Sequence, residues 1–387
     1  MSSDERERDP ELDEILPVHE KGKTRMVSRC ELNNTSDLRR IYTPGVAKVS
    51  ELIEKEPDRI YDYTSIGDTV AVISNGTAVL GLGDVGVRAS MPVMEGKAVI
   101  LMDMVDISAI PILLDSHDPN EFAHAAELIA PTFGAILLED IAAPMCFEVE
   151  NRLKDRLDIP VFHDDQHGTA VVVLGALIKA LEKTDKEAED LNVVISGAGA
   201  AGWAIARYLL NYGVADVVLC DSCGAIHEQR TEGMNPAKET MAAETNYANQ
   251  SGSLEEIIRG KDLFIGVSAA GLVDPEMVRS MAPDPVVFAL ANPIPEIWPD
   301  EAIEAGAAAA TDGRHLNNAL GFPGLFRGAL DSRATELNER MKIAASHELA
   351  KLAPADELVP DFMDRDVHRA VADAVAKGAR KSGVARR

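Results

Sequence analysis

Short apolar runs, separated by glycine, aspartate and asparagine, recur along the chain after residue 69. Three of them, VAVISN, TAVLGLG and AVILMDMV, begin at residues 70, 77 and 98 and are typical of buried strands. The stretch HDPNEFAHAAELIAPTF then shows helical spacing, with Asp118 and Asn120 as candidate caps, and GAILLED follows as a further strand. This alternation predicts an α/β fold with a parallel sheet covered by helices.

A second α/β series follows the polar segment EKTDKEAED, which occupies residues 182–190. Its apolar runs are NVVIS, ADVVLCDS, DLFIGVSA and PVVFALANP, and the helical run AAGWAIARYLLNYG follows the first of them. A polar break between two such series is typical of a hinge. The pattern therefore predicts two α/β domains with a cleft between them.

A glycine-rich turn lies between strand and helix at the start of this second series. Gly197 permits a tight turn, Gly199 lets the backbone approach a pyrophosphate, and Gly202 allows the helix to pack closely. Asp221 ends the next strand, where an acid can bind the adenosine ribose hydroxyls; it favours NAD, although Ser222 and Cys223 leave NADP open. The predicted cofactor-binding residues of this turn are Gly197, Ala198, Gly199, Ala200, Ala201, Gly202 and Asp221. A glycine turn that binds no nucleotide is the alternative.

Two pairs of adjacent carboxylates end apolar strands about twenty-five residues apart. Glu139 and Asp140 follow AILL, and Asp164 and Asp165 follow VFH. Because parallel strands present their carboxyl ends at one edge of a sheet, the pairs can converge on one hard cation, Mg²⁺ or Mn²⁺. Helix N-caps are the alternative role for these acids. Lys97 can act as a base if burial and a nearby cation lower its pKa.

The charge balance narrows the range of partners and surroundings. Asp and Glu outnumber Lys and Arg, 64 to 38, which gives a formal net charge of -26 and repels nucleic acid and anionic membranes. Acids spread along the whole chain are typical of a surface adapted to high salt, with an ordinary acidic protein as the alternative. We expect a cytoplasmic protein without a membrane helix, and disorder in about the first 15 residues, which are acidic.

Eight ordered motifs resemble those of the malic enzymes, specifically the short prokaryotic form. They are YTPGVA, GLGD, PVMEGKA, LEDI, FHDDQHGTA, SGAGAAG, ANP and NNALGFPG, and the resemblance covers residues 18–330. It implies oxidative decarboxylation of L-malate to pyruvate and CO₂ with NAD or NADP and Mg²⁺ or Mn²⁺, in a homodimer or homotetramer. It also implies an N-terminal substrate and metal domain over 18–160, and a Rossmann-type dinucleotide-binding domain with C-terminal helices over 161–387.

The resemblance assigns catalytic roles to three residues of this chain. It implies that Lys97 is the general base for the C2 hydroxyl of malate, with Asp164 as its ion-pair partner. It implies that Tyr42 is the general acid that protonates C3 after CO₂ has left. On this division of roles, Lys97→Ala abolishes malate oxidation, whereas Tyr42→Phe spares the formation of oxaloacetate relative to the release of pyruvate.

The same resemblance implies ligands for the metal and the substrate. Glu139, Asp140 and Asp165 match the positions of metal ligands. Asn292 in ANP and Asn318 in NNALGFPG match positions that touch the substrate or the nicotinamide end of the cofactor. His163 and His167 are interpreted as structural residues or as supports of the metal ligands, since a site rich in carboxylates suits a harder ion than zinc.

Departures from the family pattern keep alternatives open. Larger members carry an Arg shortly before GLGD that contacts a substrate carboxylate, whereas this chain has GTAVLGLGD, so another group must hold that carboxylate. The alternatives are a malolactic-type lyase that releases lactate, a nucleotide-sensing protein without activity, and a metal-free 2-hydroxy-acid dehydrogenase.

Overall fold

Two β-sheets organise the computed structural model, which describes residues 10–79, 81–184 and 186–387. The strands are β1 (Thr69–Ser74), β2 (Ser108–Leu113), β3 (Ala135–Leu138), β4 (Val161–His163), β5 (Asn192–Ser196), β6 (Asp216–Asp221), β7 (Gly224–Ala225), β8 (Leu263–Gly266), β9 (Val286–Ala289) and β10 (Ala309–Asp312). The helices are α1 (Pro10–His19), α2 (Thr35–Ile41), α3 (Gly45–Lys55), α4 (Ile60–Tyr63), α5 (Met91–Val105), α6 (Pro119–Ile129), α7 (Met145–Arg156), α8 (Asp164–Leu181), α9 (Ala200–Tyr212), α10 (Pro236–Glu244), α11 (Leu254–Ile257), α12 (Pro275–Arg279), α13 (Pro299–Glu304), α14 (Phe322–Asp331), α15 (Glu339–Leu352) and α16 (Arg365–Ser382).

The first sheet has four parallel strands in the order β2-β1-β3-β4. Strands β1 and β3 are buried along their whole length, as expected of central parallel strands built from Val, Ile, Leu and Ala. Helices α6 and α7 cover one face, and α5 lies against the other. The last strand of this sheet is Val161–His163, so the sheet extends just past residue 160, where the domain division was expected. That division stays a prediction.

The second sheet has the order β10-β9-β8-β5-β6-β7, with β7 antiparallel to β6 and the other pairs parallel. The four apolar runs predicted for this half of the chain form β5, β6, β8 and β9. Within the polar segment 182–190, Asp185 lies outside the described residues. The arrangement confirms an α/β fold, with one parallel sheet and one sheet that is parallel except for β7.

Helix α8 joins the two sheets. It is buried along most of its length, because it packs against α9 of the second sheet on one side and against α15 on another. A single apolar core therefore runs from Val72 of the first sheet through Val173 of α8 to Ile195 of the second sheet. The N-terminal end of α8 carries the second pair of carboxylates, so this helix fixes their position between the domains.

Two strand predictions were wrong. AVILMDMV belongs to α5, in which the buried positions Met94, Lys97, Ala98, Leu101 and Val105 follow helical spacing. A continuous apolar run does not reveal its period, so the strand interpretation overlooked the buried face that begins upstream. TAVLGLG forms a turn, with one bridge between Val79 and Gly83; Leu80 within it lies outside the described residues.

The N-terminal arm, residues 10–63, contains α1 to α4 and buries no side chain among its described residues. The disorder expected for about the first 15 residues is wrong from Pro10 onward, where α1 begins; residues 1–9 lie outside the described part. Apolar side chains of this arm are exposed, including Ile15, Leu16 and Met26. Among the described residues, no helix combines the length and apolar character needed to cross a membrane.

Candidate functional site

Lys97 is a buried lysine surrounded by carboxylates. It lies on α5 with 8% of its surface exposed, and its Nζ forms an ion pair with Asp164 and lies 3.0 Å from Oε1 of Glu139. The ring of Phe322 covers it, with the centroid 4.6 Å from Nζ. Burial alone would lower the pKa of Lys97, but the charges of Asp164 and Glu139 outweigh it and raise that pKa above its ordinary value. The lysine is therefore held as an ammonium.

Three carboxylates converge beside this lysine. Glu139 and Asp140 directly follow β3, and Asp165 lies in the first turn of α8, which begins where the neighbouring strand β4 ends. Oxygen atoms of these three residues lie within 4.8 Å of one another. Asp140 has a φ of 53°, a left-handed conformation that Asp tolerates, and its backbone N donates to Oδ2 of Asp165 at 3.0 Å.

The three acids fit a divalent cation. Among the described residues, Oε2 of Glu139 and Oδ2 of Asp140 are buried without a hydrogen-bond partner. Burial, with repulsion from Asp165, raises the pKa of Asp140 to about 7, and burial also raises the pKa of Glu139 despite the attraction of Lys97. Converging carboxylate oxygens are ligands that Mg²⁺ and Mn²⁺ prefer.

Asp164 is completely buried at the start of α8. Gly168, one turn later, makes room for it: a Cβ at that position would lie 1.8 Å from Oδ1 of Asp164. The same Cβ would lie 3.2 Å from Cβ of Asn318, so Asn318 packs against Gly168. The structure thus brings Lys97, both acid pairs and Asn318 to one place.

The glycine turn has the geometry that its pattern predicts. Gly197 adopts a φ of 119°, and its backbone N donates to Cys220 O at 2.8 Å, which ties the turn to the end of β6. A Cβ at Gly202 would lie 1.8 Å from Gly197 O, so α9 can pack this closely against the turn only with glycine there. Gly199 is the N-cap of α9 and has open space around it. Such an N-terminus offers free N–H groups to a phosphate.

Asp221, at the end of β6, is held by two cations. Its Oδ2 accepts from Nη2 of Arg230 and from Nζ of Lys238, each at 2.7 Å, and its Oδ1 accepts from Cys223 N at 2.8 Å. Partial burial would raise the pKa of Asp221, but the hydrogen bonds from Arg230 and Lys238 lower it below its ordinary value. The acid that sequence reasoning assigned to the ribose is therefore already paired.

The remaining predicted residues lie in different surroundings. Asn292 follows β9 and its Nδ2 donates to Leu290 O at 3.4 Å; a Cβ at Gly81 would lie 3.9 Å from Asn292 O, so loops of the two domains meet there. Tyr42 caps α2 on the N-terminal arm, with 64% of its surface exposed. Its hydroxyl makes no hydrogen bond within the described residues, so the single chain does not connect it to Lys97.

Sequence reasoning missed one charged residue next to the site. Glu150 on α7 is 3% exposed and contacts the stretch that carries Asp164 and Asp165. The signal was present: Glu150 lies on the face of α7 that buries Cys146, Val149 and Leu153. A carboxylate on an otherwise apolar helical face needs a buried partner.

Two family models match the chain. A model described as the malic enzyme N-terminal domain matches residues 19–121, and a model described as the malic enzyme NAD-binding domain matches residues 166–316. The first contains Lys97, and the second begins immediately after Asp165 and contains the glycine turn and Asp221. Glu139, Asp140, Asp164 and Asp165 lie in the interval between the two matches.

Similar proteins include enzymes with either nicotinamide cofactor. The bifunctional malic/malolactic enzyme of Bacillus subtilis is 50% identical over 97% of this chain and 94% of its own length. The NADP-dependent malic enzyme of Rhizobium meliloti is 41% identical over 97% of this chain and 53% of its own length. The crystal structure of the NAD-dependent malic enzyme from Thermotoga maritima is 42% identical, with a TM-score of 0.90 over 94% of this chain and 98% of that one.

Proposed function

The chain belongs to the malic enzyme family, and on that premise we propose that it converts L-malate to pyruvate and CO₂ while reducing NAD or NADP. The observation that carries this function is the cluster of Lys97, Asp164 and three converging acids. The cluster lies between the two domains. Lys97 is on α5, which packs against the first sheet, and α8, which carries Asp164 and Asp165, packs against elements of both domains. The cluster therefore lies where substrate and cofactor can meet.

We propose that Glu139, Asp140 and Asp165 bind Mg²⁺ or Mn²⁺. The converging oxygens and the unpartnered atoms of Glu139 and Asp140 support this assignment. A bound cation supplies a Lewis acid toward the oxygen on C2, and the nicotinamide supplies the hydride acceptor. The protein's part is to keep the three carboxylates close together in spite of their repulsion, through their fixed places at the end of β3 and the start of α8 and through the positive charge of Lys97.

We propose that Lys97 moves the proton of the C2 hydroxyl. Its Nζ would accept this proton, and Asp164 would stabilise the resulting ammonium through their ion pair. Because Asp164 and Glu139 raise the pKa of Lys97, the neutral amine forms only when part of their charge is balanced. A cation that binds Glu139 would balance it, which links the base to the metal site.

Tyr42, Asn292 and Asn318 keep the roles that the family resemblance implies, as proposals. Asn318 packs against Gly168, the glycine that makes room for Asp164, which supports a place near the substrate. Asn292 lies where loops of the two domains meet, which supports contact with the nicotinamide end of the cofactor. Tyr42, as general acid, must bring its hydroxyl from the exposed N-terminal arm to C3 of the substrate. For this step the N-terminal arm would have to close over the site around Lys97.

We propose that NADP is the preferred cofactor. NAD offers two ribose hydroxyls to an acid, but Oδ2 of Asp221 already accepts two charge-assisted hydrogen bonds. Asp221, Arg230 and Lys238 together carry one net positive charge. Lys238 also donates to Gly233 O at 2.9 Å, which leaves its third N–H free for a 2′-phosphate oxygen.

We propose a homodimer or homotetramer that works in the cytoplasm at high salt. The exposed apolar side chains of the N-terminal arm support self-association, since soluble monomers rarely expose so many apolar groups on one segment. The net charge of -26 supports the high-salt surroundings.

An assay in high-salt buffer with L-malate and Mn²⁺, and with NAD and NADP offered separately, tests the function. We expect pyruvate and reduced cofactor in equal amounts, with activity abolished by a chelator. Lactate without net reduction of the cofactor would instead support a malolactic lyase, a candidate that the name of the Bacillus subtilis relative favours. Full activity with the chelator present would contradict the metal assignment.

A further inference from the structure

Glu150 binds the chain on both sides of the second acid pair. Its Oε1 accepts from His163 N at 3.2 Å and its Oε2 accepts from Nε2 of Gln166 at 3.3 Å. Nε2 of His167 lies 2.9 and 3.0 Å from the two oxygens. Glu150 therefore holds residues 163, 166 and 167, while Asp164 and Asp165 lie between them.

These contacts fix the beginning of α8. His163 is the N-cap of α8, and its side chain does not cap the helix, so the carboxylate of Glu150 supplies an acceptor from another helix. A carboxylate near a helix N-terminus is also stabilised by the helix dipole. The position of the first turn, and with it the direction of Asp164 and Asp165, thus depends on α7.

A second helix supports the same turn from the other side. Nζ of Lys342, on α15 and 3% exposed, lies 3.3 Å from Nδ1 of His167. With Lys342 donating to Nδ1, His167 carries its proton on Nε2 and donates it to Glu150. The imidazole therefore has one tautomer and one orientation, and it links α7, α8 and α15.

Charge balance alone does not explain these contacts. Nζ of Lys154, one turn further along α7 and 32% exposed in its side chain, lies 2.8 Å from Oε1 of Glu150 and already supplies an opposite charge. A carboxylate needed only for the stability of α7 would be satisfied by Lys154 and water. The hydrogen bonds to residues 163–167 are additional and are all directed at the start of α8.

We propose that Glu150 is a positioning residue, which acts through His163, Gln166 and His167 to aim Asp165 at the metal and Asp164 at Lys97. The inference rests on the proposed function, since it assumes that Asp165 is a metal ligand. Residues that orient metal ligands through hydrogen bonds typically change metal affinity or activity by about 10- to 100-fold when they are substituted.

The test is the affinity of the purified full-length protein for Mn²⁺, measured by electron paramagnetic resonance of free Mn²⁺ without malate or nucleotide. We expect Glu150→Gln to weaken Mn²⁺ binding by about 10-fold or more and to lower kcat for malate oxidation. Lys154→Met is the matched control, because it removes the positive charge that is paired with the Glu150 carboxylate and leaves the contacts of Glu150 with α8 in place. It is expected to keep the wild-type Mn²⁺ affinity within about 2-fold.

A second pair of variants keeps the test decisive if Glu150→Gln folds poorly. His167→Leu removes the donor to Glu150, whereas His167→Gln retains an N–H donor at a similar distance from the backbone; the first should lose Mn²⁺ affinity and the second should recover most of it. Unchanged affinity in both Glu150→Gln and His167→Leu would overturn the positioning role. An equal loss in Lys154→Met would also overturn it. Wild-type protein that binds no Mn²⁺ would refute the proposed metal site itself.

Discussion

At the scale of single residues, the two acidic centres of this chain differ in what balances their charge. Around Lys97, one cation faces several buried carboxylates, and burial with mutual repulsion raises the pKa of Glu139 and Asp140. At the end of β6 the balance is reversed, because Asp221 faces both Arg230 and Lys238. The first centre therefore has an excess of carboxylates, and the second has an excess of basic groups.

Lys238→Met is expected to lower kcat/KM for NADP by about 10-fold or more, because a charge-assisted hydrogen bond to the 2′-phosphate is lost. The kcat/KM for NAD should stay unchanged or increase, since Oδ2 of Asp221 then becomes available to the ribose. Steady-state kinetics with both cofactors give this ratio. The control is Lys351→Met, which removes a lysine that is exposed on α15. A wild-type enzyme that strongly prefers NAD would contradict the proposal.

At the scale of elements, α8 shows why a glycine can be required inside a helix. Alanine usually stabilises a helix relative to glycine by up to about 1 kcal/mol. At Gly168, however, the added methyl group would collide with the carboxylate of Asp164, which Lys97 holds in place. The space beside this glycine is therefore needed to hold the carboxylate of Asp164 next to Lys97.

Gly168→Ala is expected to reduce kcat strongly and to lower the free energy of unfolding by about 1–3 kcal/mol, because Asp164 must move away from Lys97. Gly96→Ala, in α5, is the matched control: its Cβ would meet nothing nearer than Nζ of Lys23 at 3.5 Å. This control should keep its activity and gain up to about 1 kcal/mol of stability. Kinetics and urea unfolding measure both effects, and a fully active Gly168→Ala enzyme would disprove the argument.

Helix α16 contains a buried histidine that makes stability depend on pH. His368 is completely buried, and Nε2 lies 2.7 Å from Phe362 O, while Nδ1 has no hydrogen-bond partner within the described residues. Burial lowers the pKa of His368, although Phe362 O and Asp364 act in the opposite direction. The unfolded chain therefore binds a proton more readily than the folded one.

The stabilising contribution of neutral His368 is complete above its unfolded pKa, near 6.5, and is lost as the pH falls below that value. The loss is at most about 1.4 kcal/mol per pH unit. We expect the melting temperature of the wild type to fall more between pH 7.5 and pH 5.5 than that of His368→Gln, which cannot take up this proton. Equal decreases in the two proteins would exclude His368 as the cause.

At the scale of the whole molecule, the described residues divide into a part with an apolar core and an N-terminal arm without one. The two sheets, α8 and the C-terminal helices share one apolar core, whereas α1 to α4 bury no side chain among their described residues. Tyr42 lies on this arm. An arm that gains apolar contacts in an oligomer would be fixed there, and the position of Tyr42 would be fixed with it.

We expect light scattering to give a multiple of the 41.6 kDa chain mass for the wild type. The double substitution of Ile15 and Leu16 by Glu should shift the mass toward that of one chain, because it places charges on the exposed apolar surface of α1. Leu128→Glu, at another exposed leucine on α6, should leave the mass unchanged. A wild type of one chain mass would contradict the proposed assembly.

The α/β class, the second series of strands, the glycine turn and the pairing of acids at strand ends followed from the sequence, because each depends on local spacing. The helical period of α5 did not, since a continuous apolar run has the same appearance in a strand and in a buried helix. Charge states and partners belong to the tertiary structure. Asp221 is neutralised by residues 9 and 17 positions away, and Asp164 meets a lysine 67 positions away, because chain folding sets these distances.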